Sequence, residues 1–300
     1  MGHAAVAHAL VIGEALIDIV ETAAGTRELV GGSPANVAVG VARLGHPAQL
    51  LTRIGTDERG ARIAEHVAAS GASLSAESWT DAATSTARAL LGADGAATYE
   101  FDLAWALPRV AGVGDAALVH SGSIALFLAP GGDVVLDALQ RAARTAIVTV
   151  DPNIRPALIG DRAAAVQRFG RAAACADLVK LSDEDAAWLY PGRLPEEVLA
   201  EVAGLGPRVV VLTQGSGGAT ALGAGGIVSV PAFVVEVADT IGAGDAYMAS
   251  LISSVLEDAG VFDSRPALER ALRRAAIAAG LTVARVGANP PTRAELDAVL

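Results

Sequence analysis

The chain of 300 residues has one cysteine, Cys175, and one lysine, Lys180, against twenty-one arginines. A single cysteine excludes an internal disulfide framework and a cysteine-built metal site, and it fits a reducing compartment. The five histidines (His3, His8, His46, His66, His120) lack metal-ligand spacing. Any role that needs a lysine must fall on Lys180. No basic stretch precedes an apolar run at the N-terminus, so no secretory signal is expected. The longest charge-free run, 209–235, is interrupted by Gly, Ser, Thr, Gln and Pro and reads as buried strands and a turn, not a membrane span. An excess of positive charge is also missing. The net charge of −11 argues against nonspecific binding to nucleic acid or an anionic membrane. A cytoplasmic protein with neither nucleic-acid nor membrane partners is expected. A small anionic ligand needs local donors to hold it.

What is present is a large core: 52% of residues are hydrophobic and 18% charged. Strand-like and helix-like segments alternate. Strands are predicted near 8–12, 48–55, 116–120, 146–151, 177–181 and 209–213. Helices are predicted at 33–45, with Ser33 as N-cap and Pro34 next, and at 57–71, 131–144, 161–174, 184–190, 195–204, 244–257 and 266–284. A hairpin is expected at 219–234, and the valine-rich run ending at Asp239 reads as a strand that becomes a helix. Such alternation implies a mostly parallel α/β sheet covered on both faces, with ligands beyond the carboxyl ends of its strands. Two pieces break the rhythm. Residues 85–103 form two alternating runs around "ADG", a hairpin signal, and 18–32 is strand-like and partly polar. They are expected to form a small separate sheet.

Three motifs carry chemistry. In "DTIGAGDAYM" (239–248), Gly242 and Gly244 permit a tight turn and close backbone approach to a ligand. A helix starting near Ala243 presents unpaired N–H groups and the positive end of its dipole, a site for phosphate. Asp245 stands in its first turn, where a carboxylate is repelled by phosphate unless it has a use such as accepting a proton from an attacking hydroxyl. Alone, the motif reads first as a plain junction whose acid favours the dipole, since short glycine motifs have many false matches. In "GGSPANVAVGVARLG" (31–45), Asn36 is set to hold hydroxyls of a polyol, against plain capping by Ser33. "VLTQGSGG" (211–218) is a strand ending in a glycine-rich loop, either a nucleotide cradle or a hairpin loop. It lacks the lysine of a P-loop, and no GxGxxG follows a strand.

Together these stretches resemble the ribokinase-like carbohydrate kinases of the PfkB group. "GGSPANVAVGVARLG" is similar to that family's N-terminal signature and "DTIGAGDAYMASLI" to its C-terminal one. "GEALIDI" (13–19), "SGS" (121–123), "DPNIRP" (151–156), "KLSDED" (180–185) and "ARVGANP" (284–290) fall in the family's order, and the likeness is strongest to fructokinases. The resemblance covers the chain. It implies one three-layer α/β/α domain over 1–300 with a lid from about 14–32 and 84–104, ATP and Mg²⁺ as cofactors, and a homodimer through the lid. It implies Asp245 as catalytic base and the N–H groups of Gly242, Ala243 and Gly244 as an anion hole. Asp18, Gly32, Asn36 and Arg155 would serve the sugar, with Gly31 shaping the loop. Ser182, Thr213, Gly215, Gly218, Gly244 and Ala276 would line the ATP site.

The departures qualify this. The family's Asn-x-x-Glu motif reads Ser182-Asp183-Glu184-Asp185, so the Mg²⁺ contact falls to Asp185, one methylene short, or to Glu184. An asparagine that some relatives place near adenine is Ala276. The monovalent cation of many relatives, K⁺, would meet Asp239, Ile241, Thr282, Arg285 and Gly287, while a serine ligand of some is Pro291, which has no hydroxyl. Trp79, Trp188 and Cys175 are expected to be packing residues. Tyr99, Phe101 and Trp105 face either the sugar or the lid's packing. The expected activity is ATP-dependent sugar phosphorylation, fructose to fructose 6-phosphate. 2-Keto-3-deoxygluconate (with Arg155 and Arg88 for its carboxylate) and ribose are alternative substrates, and a silent sugar-binding regulator or a nicotinamide-dependent dehydrogenase are alternatives of another class.

Overall fold

The computed structural model describes residues 8–22, 25–91 and 97–300. Its strands are β1 (Ala9–Ile12), β2 (Leu16–Thr22), β3 (Gly25–Gly31), β4 (Ala48–Leu51), β5 (Ile54–Gly55), β6 (Ser73–Leu74), β7 (Trp79–Thr80), β8 (Thr86–Leu91), β9 (Ala97–Asp102), β10 (Leu118–Gly122), β11 (Ile147–Asp151), β12 (Leu178–Ser182), β13 (Val209–Thr213), β14 (Ala219–Gly223) and β15 (Gly226–Val230). Its α-helices are α1 (Ser33–Arg43), α2 (Glu58–Ala69), α3 (Ser123–Phe127), α4 (Gly131–Ala142), α5 (Pro156–Ile159), α6 (Arg162–Ala173), α7 (Asp183–Leu189), α8 (Pro195–Ala203), α9 (Ala243–Glu257), α10 (Arg265–Val283) and α11 (Arg293–Asp297).

The main sheet has nine strands in the order β15-β14-β13-β12-β11-β10-β1-β4-β6. From β6 to β13 the pairing is parallel, and the β13-β14-β15 meander closes one end antiparallel. Successive side chains of a strand point to opposite faces, so each inner strand feeds two cores. Val11, Val209 and Val211 pack with α1, α9 and α10 on one side, while Leu10, Ile12, Val210 and Leu212 pack with α4, α6 and α8 on the other. This is the covered parallel sheet that the near-continuous apolar strands anticipate. The two hairpins form a separate four-stranded sheet of order β3-β2-β8-β9, with β2 and β8 joined in parallel. The "ADG" turn lies outside the described residues. Among those described, no helix is long and apolar enough to cross a membrane.

Two local expectations fail. Ser33 is not an N-cap. That position belongs to Gly32 at φ 106°, and no side chain caps α1. The valine-rich run before Asp239 is not a strand either. Residues 231–237 have no regular structure, and Val234 and Val237 are 91% and 64% exposed. The β-branched residues suit a strand, but the run pairs with no described strand, the free edge of β15 included. The chain instead runs along the end of α10. There Phe233 fills the space a side chain on Gly280 would need, and the N–H groups of Ala238 and Asp239 both donate to the Val283 carbonyl.

Candidate active site

The α9 N-terminus fixes the site. Gly242 takes φ 77°, and a Cβ on it would lie 2.7 Å from the Ala288 Cβ, so this tight turn admits only glycine. The turn delivers the first N–H groups of a fifteen-residue helix and sets Asp245 in its first turn, 7% exposed. Two side chains of α1 hold that carboxylate. Ser33 Oγ donates to Oδ1 at 2.6 Å, and Asn36 Nδ2 donates to Oδ2 at 2.8 Å. The two motifs therefore meet at one acid. Ser33, read from sequence as a cap, orients it, and the Asn36 amide expected on a sugar hydroxyl is on Asp245. The spacing of Ser33 and Asn36 was the available signal, because residues three apart share a helix face.

A second group of acids lies where β1, β2 and β3 approach this turn. Asp18 on β2 is half-buried, and burial pushes its carboxyl up to about 6 against the opposing charge of Arg155. A Cβ on Gly31 would fall 2.0 Å from Asp18 Oδ2, and one on Gly32 would fall 2.5 Å from the Glu14 carbonyl, so the glycine pair leaves room for that carboxylate and for the Glu14 backbone. Glu14 was not anticipated. Its side chain is 6% exposed, accepts the Ala125 N–H at 3.2 Å, and is pushed by burial to about 7. Arg155 is exposed. Its Nη1 donates to the Asn153 side chain at 2.7 Å, and its charge reaches both Glu14 and Asp18.

Beneath the α9 turn, Lys180 Nζ contacts Asp151 Oδ2 at 2.8 Å, both side chains nearly inaccessible. The contact is a buried ion pair at hydrogen-bonding distance, and Asp151 Oδ1 has no hydrogen-bond partner. Asp185 closes this group. Its Oδ1 accepts the Ile154 N–H at 2.6 Å, and its Oδ2 accepts the Ser182 N–H at 2.9 Å while Ser182 Oγ accepts the Asp185 N–H, a capping box that starts α7. Asp151, Asp185 and Asp245 thus face a single ammonium. That imbalance and the unpartnered Asp151 oxygen favour a cation here. Each Asp185 oxygen is already committed to one N–H, which suits contact through a metal's water shell. Glu184 is exposed. Among the described residues no three carboxylates, histidines or cysteines cluster as a full metal cage, and Mg²⁺ with phosphates does not need one.

On the far side, β13 ends in Thr213 and a loop with Gly215 at φ 52° and Gly218 at φ 89°. A Cβ on Gly218 would meet the Val230 carbonyl at 2.2 Å. Ala276 is buried in α10 and packs in the core. Asp239 accepts the Ile241 N–H through Oδ1 and the Gly287 N–H through Oδ2, and these bonds hold its carboxyl below the usual range. It therefore ties the turn to the loop after α10. Thr282 Oγ1 donates to the Ala278 carbonyl, Arg285 pairs with Glu295, and the Ile241 side chain is half-exposed. The side chains of Thr282 and Arg285 are thus committed elsewhere. Trp105 is a packing residue: it is 7% exposed and its Nε1 donates to the Ala125 carbonyl at 2.9 Å. Phe101 is 38% exposed on β9, and the Tyr99 side chain lies outside those described. Trp188 and Cys175 pack against the core as expected. Trp79 does not: it is 39% exposed on the short β5-β7 pair, whose two residues per strand leave nothing to cover it. Arg88 is paired with Glu21.

A buried acid at the start of a glycine-turned helix, with half-buried and buried acids on the neighbouring strands and a glycine loop after β13, suits a small-molecule phosphotransferase. The model of the pfkB family of carbohydrate kinases matches residues 6–295, and the chain belongs to that family. It is 33% identical over 261 residues to the fructokinase of Rhizobium leguminosarum bv. trifolii, covering 83% of this chain and 80% of that one. It is 33% identical over 292 residues to the fructokinase of Klebsiella pneumoniae, covering 93% and 94%. The crystal structure of Xylella fastidiosa fructokinase with bound ATP superposes with a TM-score of 0.84 at 27% identity, covering 97% of each chain. The protein is an ATP-dependent carbohydrate kinase.

Proposed function

We propose that this kinase is a fructokinase, transferring the γ-phosphoryl group of ATP to fructose and forming fructose 6-phosphate. The observation that carries the reading is Asp245, held by Ser33 and Asn36 at the first turn of α9. There it accepts the proton of the attacking sugar hydroxyl while the N–H groups of Gly242, Ala243 and Gly244 receive the transferred group. Asp18 accepts hydrogen bonds from sugar hydroxyls in the space that Gly31 and Gly32 leave. Arg155 offsets the charge of Glu14 and Asp18. Thr213, Gly215, Gly218, Ser182 and Ala276 line the nucleotide side. Asp185, with Glu184 beside it, would hold Mg²⁺ through water. When bound, the metal neutralises charge on the phosphates.

Residues 1–300 act as one domain. The sheet β3-β2-β8-β9 is its lid, excluding water from the transfer, and its edge strands β3 and β9 suit pairing in a homodimer. Asp239, Ile241, Thr282, Arg285 and Gly287, mostly through backbone carbonyls, would form a K⁺ site. The single cysteine and the acidic balance accord with a cytoplasmic enzyme. A coupled ADP-release assay with Mg²⁺ over fructose, ribose, 2-keto-3-deoxygluconate and nucleosides tests the reading. Highest turnover on fructose is expected. Highest turnover on the keto acid overturns the substrate, and no turnover on any of them favours a sugar-binding regulator.

A further inference from the structure

The mechanism above leaves the chain's one lysine unused. Lys180 is 3% exposed in the middle of β12, and its ammonium lies 2.8 Å from Asp151 at the end of β11. A Cβ built on Gly244 would have the Lys180 Nζ as its single neighbour, at 3.6 Å. The ammonium therefore sits directly against the first turn of α9, one residue from Asp245. A cation is an unusual neighbour for the positive end of a helix dipole, and nothing in the packing of an α/β sheet requires it. Burial alone would drive its proton off. The carboxylates of Asp151, Asp185 and Asp245 outweigh that and push the ammonium up from its ordinary value. His120 on β10 also faces this group. Burial first, and then the Lys180 charge, drives its imidazole down to about 3, so it stays neutral. Lys180 is thus the fixed positive charge among these groups, which lie on β10, β11, β12, α7 and α9.

We infer that Lys180 is a positioning residue of the phosphoryl-transfer site: clamped by Asp151 beneath Gly244, its ammonium holds positive charge against the turn that carries Asp245 and receives the transferred group. The inference rests on the kinase reading above. Asp151 is the restraint on that charge and works against it electrostatically, because it too faces Asp245. A merely structural ion pair and a charge that serves the site predict different things. In a structural pair, removing either partner does the same damage, and removing both repairs it. For a charge that serves the site, the two partners have opposite signs.

The test is the pH dependence of kcat for Lys180→Met, Asp151→Asn and the double variant, each with the preferred sugar of the wild-type enzyme. Lys180→Met is expected to lower kcat roughly 10- to 100-fold, short of the ~10²–10³ lost with a directly contacting donor. KM for the sugar stays within about threefold. Its acid limb moves up by roughly half to one pH unit, and that of Asp151→Asn moves down. The double variant, which removes the buried ion pair as a unit, is expected to melt close to the wild type and still to turn over at least about fivefold slower. If both single variants lose kcat alike with unmoved acid limbs, or the double variant regains wild-type turnover, the inference is wrong. Should Lys180→Met fail to fold, the acid limb of Asp151→Asn and the turnover of the double variant decide. A wild type that phosphorylates nothing defeats the kinase reading instead, so the two failures are distinguishable.

Discussion

The Asn36 amide donates to the Asp245 carboxylate at 2.8 Å across 209 residues of chain, and the Ser33 hydroxyl takes the other oxygen. One end of the sequence supplies the acid and the other aims it. Hydrogen bonds to a charged group are worth more than neutral ones, and these two fix which lone pairs of Asp245 remain for substrate.

Ser33→Ala and Asn36→Leu should therefore each lower kcat roughly tenfold or more, with little change in the KM for ATP. Steady-state kinetics on the purified variants check this. A change confined to the sugar KM would mean that the two residues bind substrate and do not orient the acid.

The adjacent glycines should respond differently to alanine. In Gly31→Ala the new methyl meets the movable Asp18 carboxylate, so the sugar KM rises several-fold while the fold holds. In Gly32→Ala it meets the backbone of Glu14 and Ala15 at φ 106°, which costs on the order of 1–3 kcal/mol. Urea melts beside sugar titrations separate the two effects.

Glu14 sets a pH dependence. Its folded-state carboxyl, at about 7, lies above the ordinary 4.5. Between those values the folded chain holds a proton that the unfolded chain has released. Stability therefore falls as pH rises from 4.5 to 7 and levels off above, by roughly 3 kcal/mol from this group. Glu14→Gln should flatten that slope, as read from urea midpoints across the range. An unchanged slope would show that Glu14 is not its source.

The fold and the placing of Asp245 in the first turn of a glycine-started helix were legible in the sequence because both rest on local signals. Apolar runs such as 209–213 mark the inner strands, and glycines at 242 and 244 mark a turn that opens a helix. What was not legible depends on tertiary partners. Ser33 has the composition of a cap, and only the arrival of Asp245 redirects its hydroxyl. The run before Asp239 has strand composition, but it packs along the end of α10 and pairs with no described strand. Lys180 and Asp151 stand on neighbouring strands, so their contact follows from strand order, which spacing along the chain does not reveal. Glu14 reads as an ordinary acid until the Ala125 N–H and the core close around it.

The lid proposal has its own test. Glu28 on β3 forms ion pairs with Arg59 and Arg62 of α2, fastening that sheet to the body. These side chains are partly exposed, so Glu28→Ala should change stability by no more than about 1 kcal/mol. A strand that fastens a lid should still matter to substrate, and the sugar KM is expected to rise several-fold. A KM equal to wild type would free the lid from this contact.

The central claim is that Asp245 is the base of a sugar phosphorylation. The direct measurement is coupled ADP release with fructose, ATP and Mg²⁺ for wild type and Asp245→Asn, beside calorimetric ATP binding to both. The variant keeps the size of the side chain and loses the charge that takes the proton. Turnover lowered about 10²–10⁴-fold with ATP affinity within a few-fold of wild type is the predicted result. Turnover retained in Asp245→Asn would contradict it.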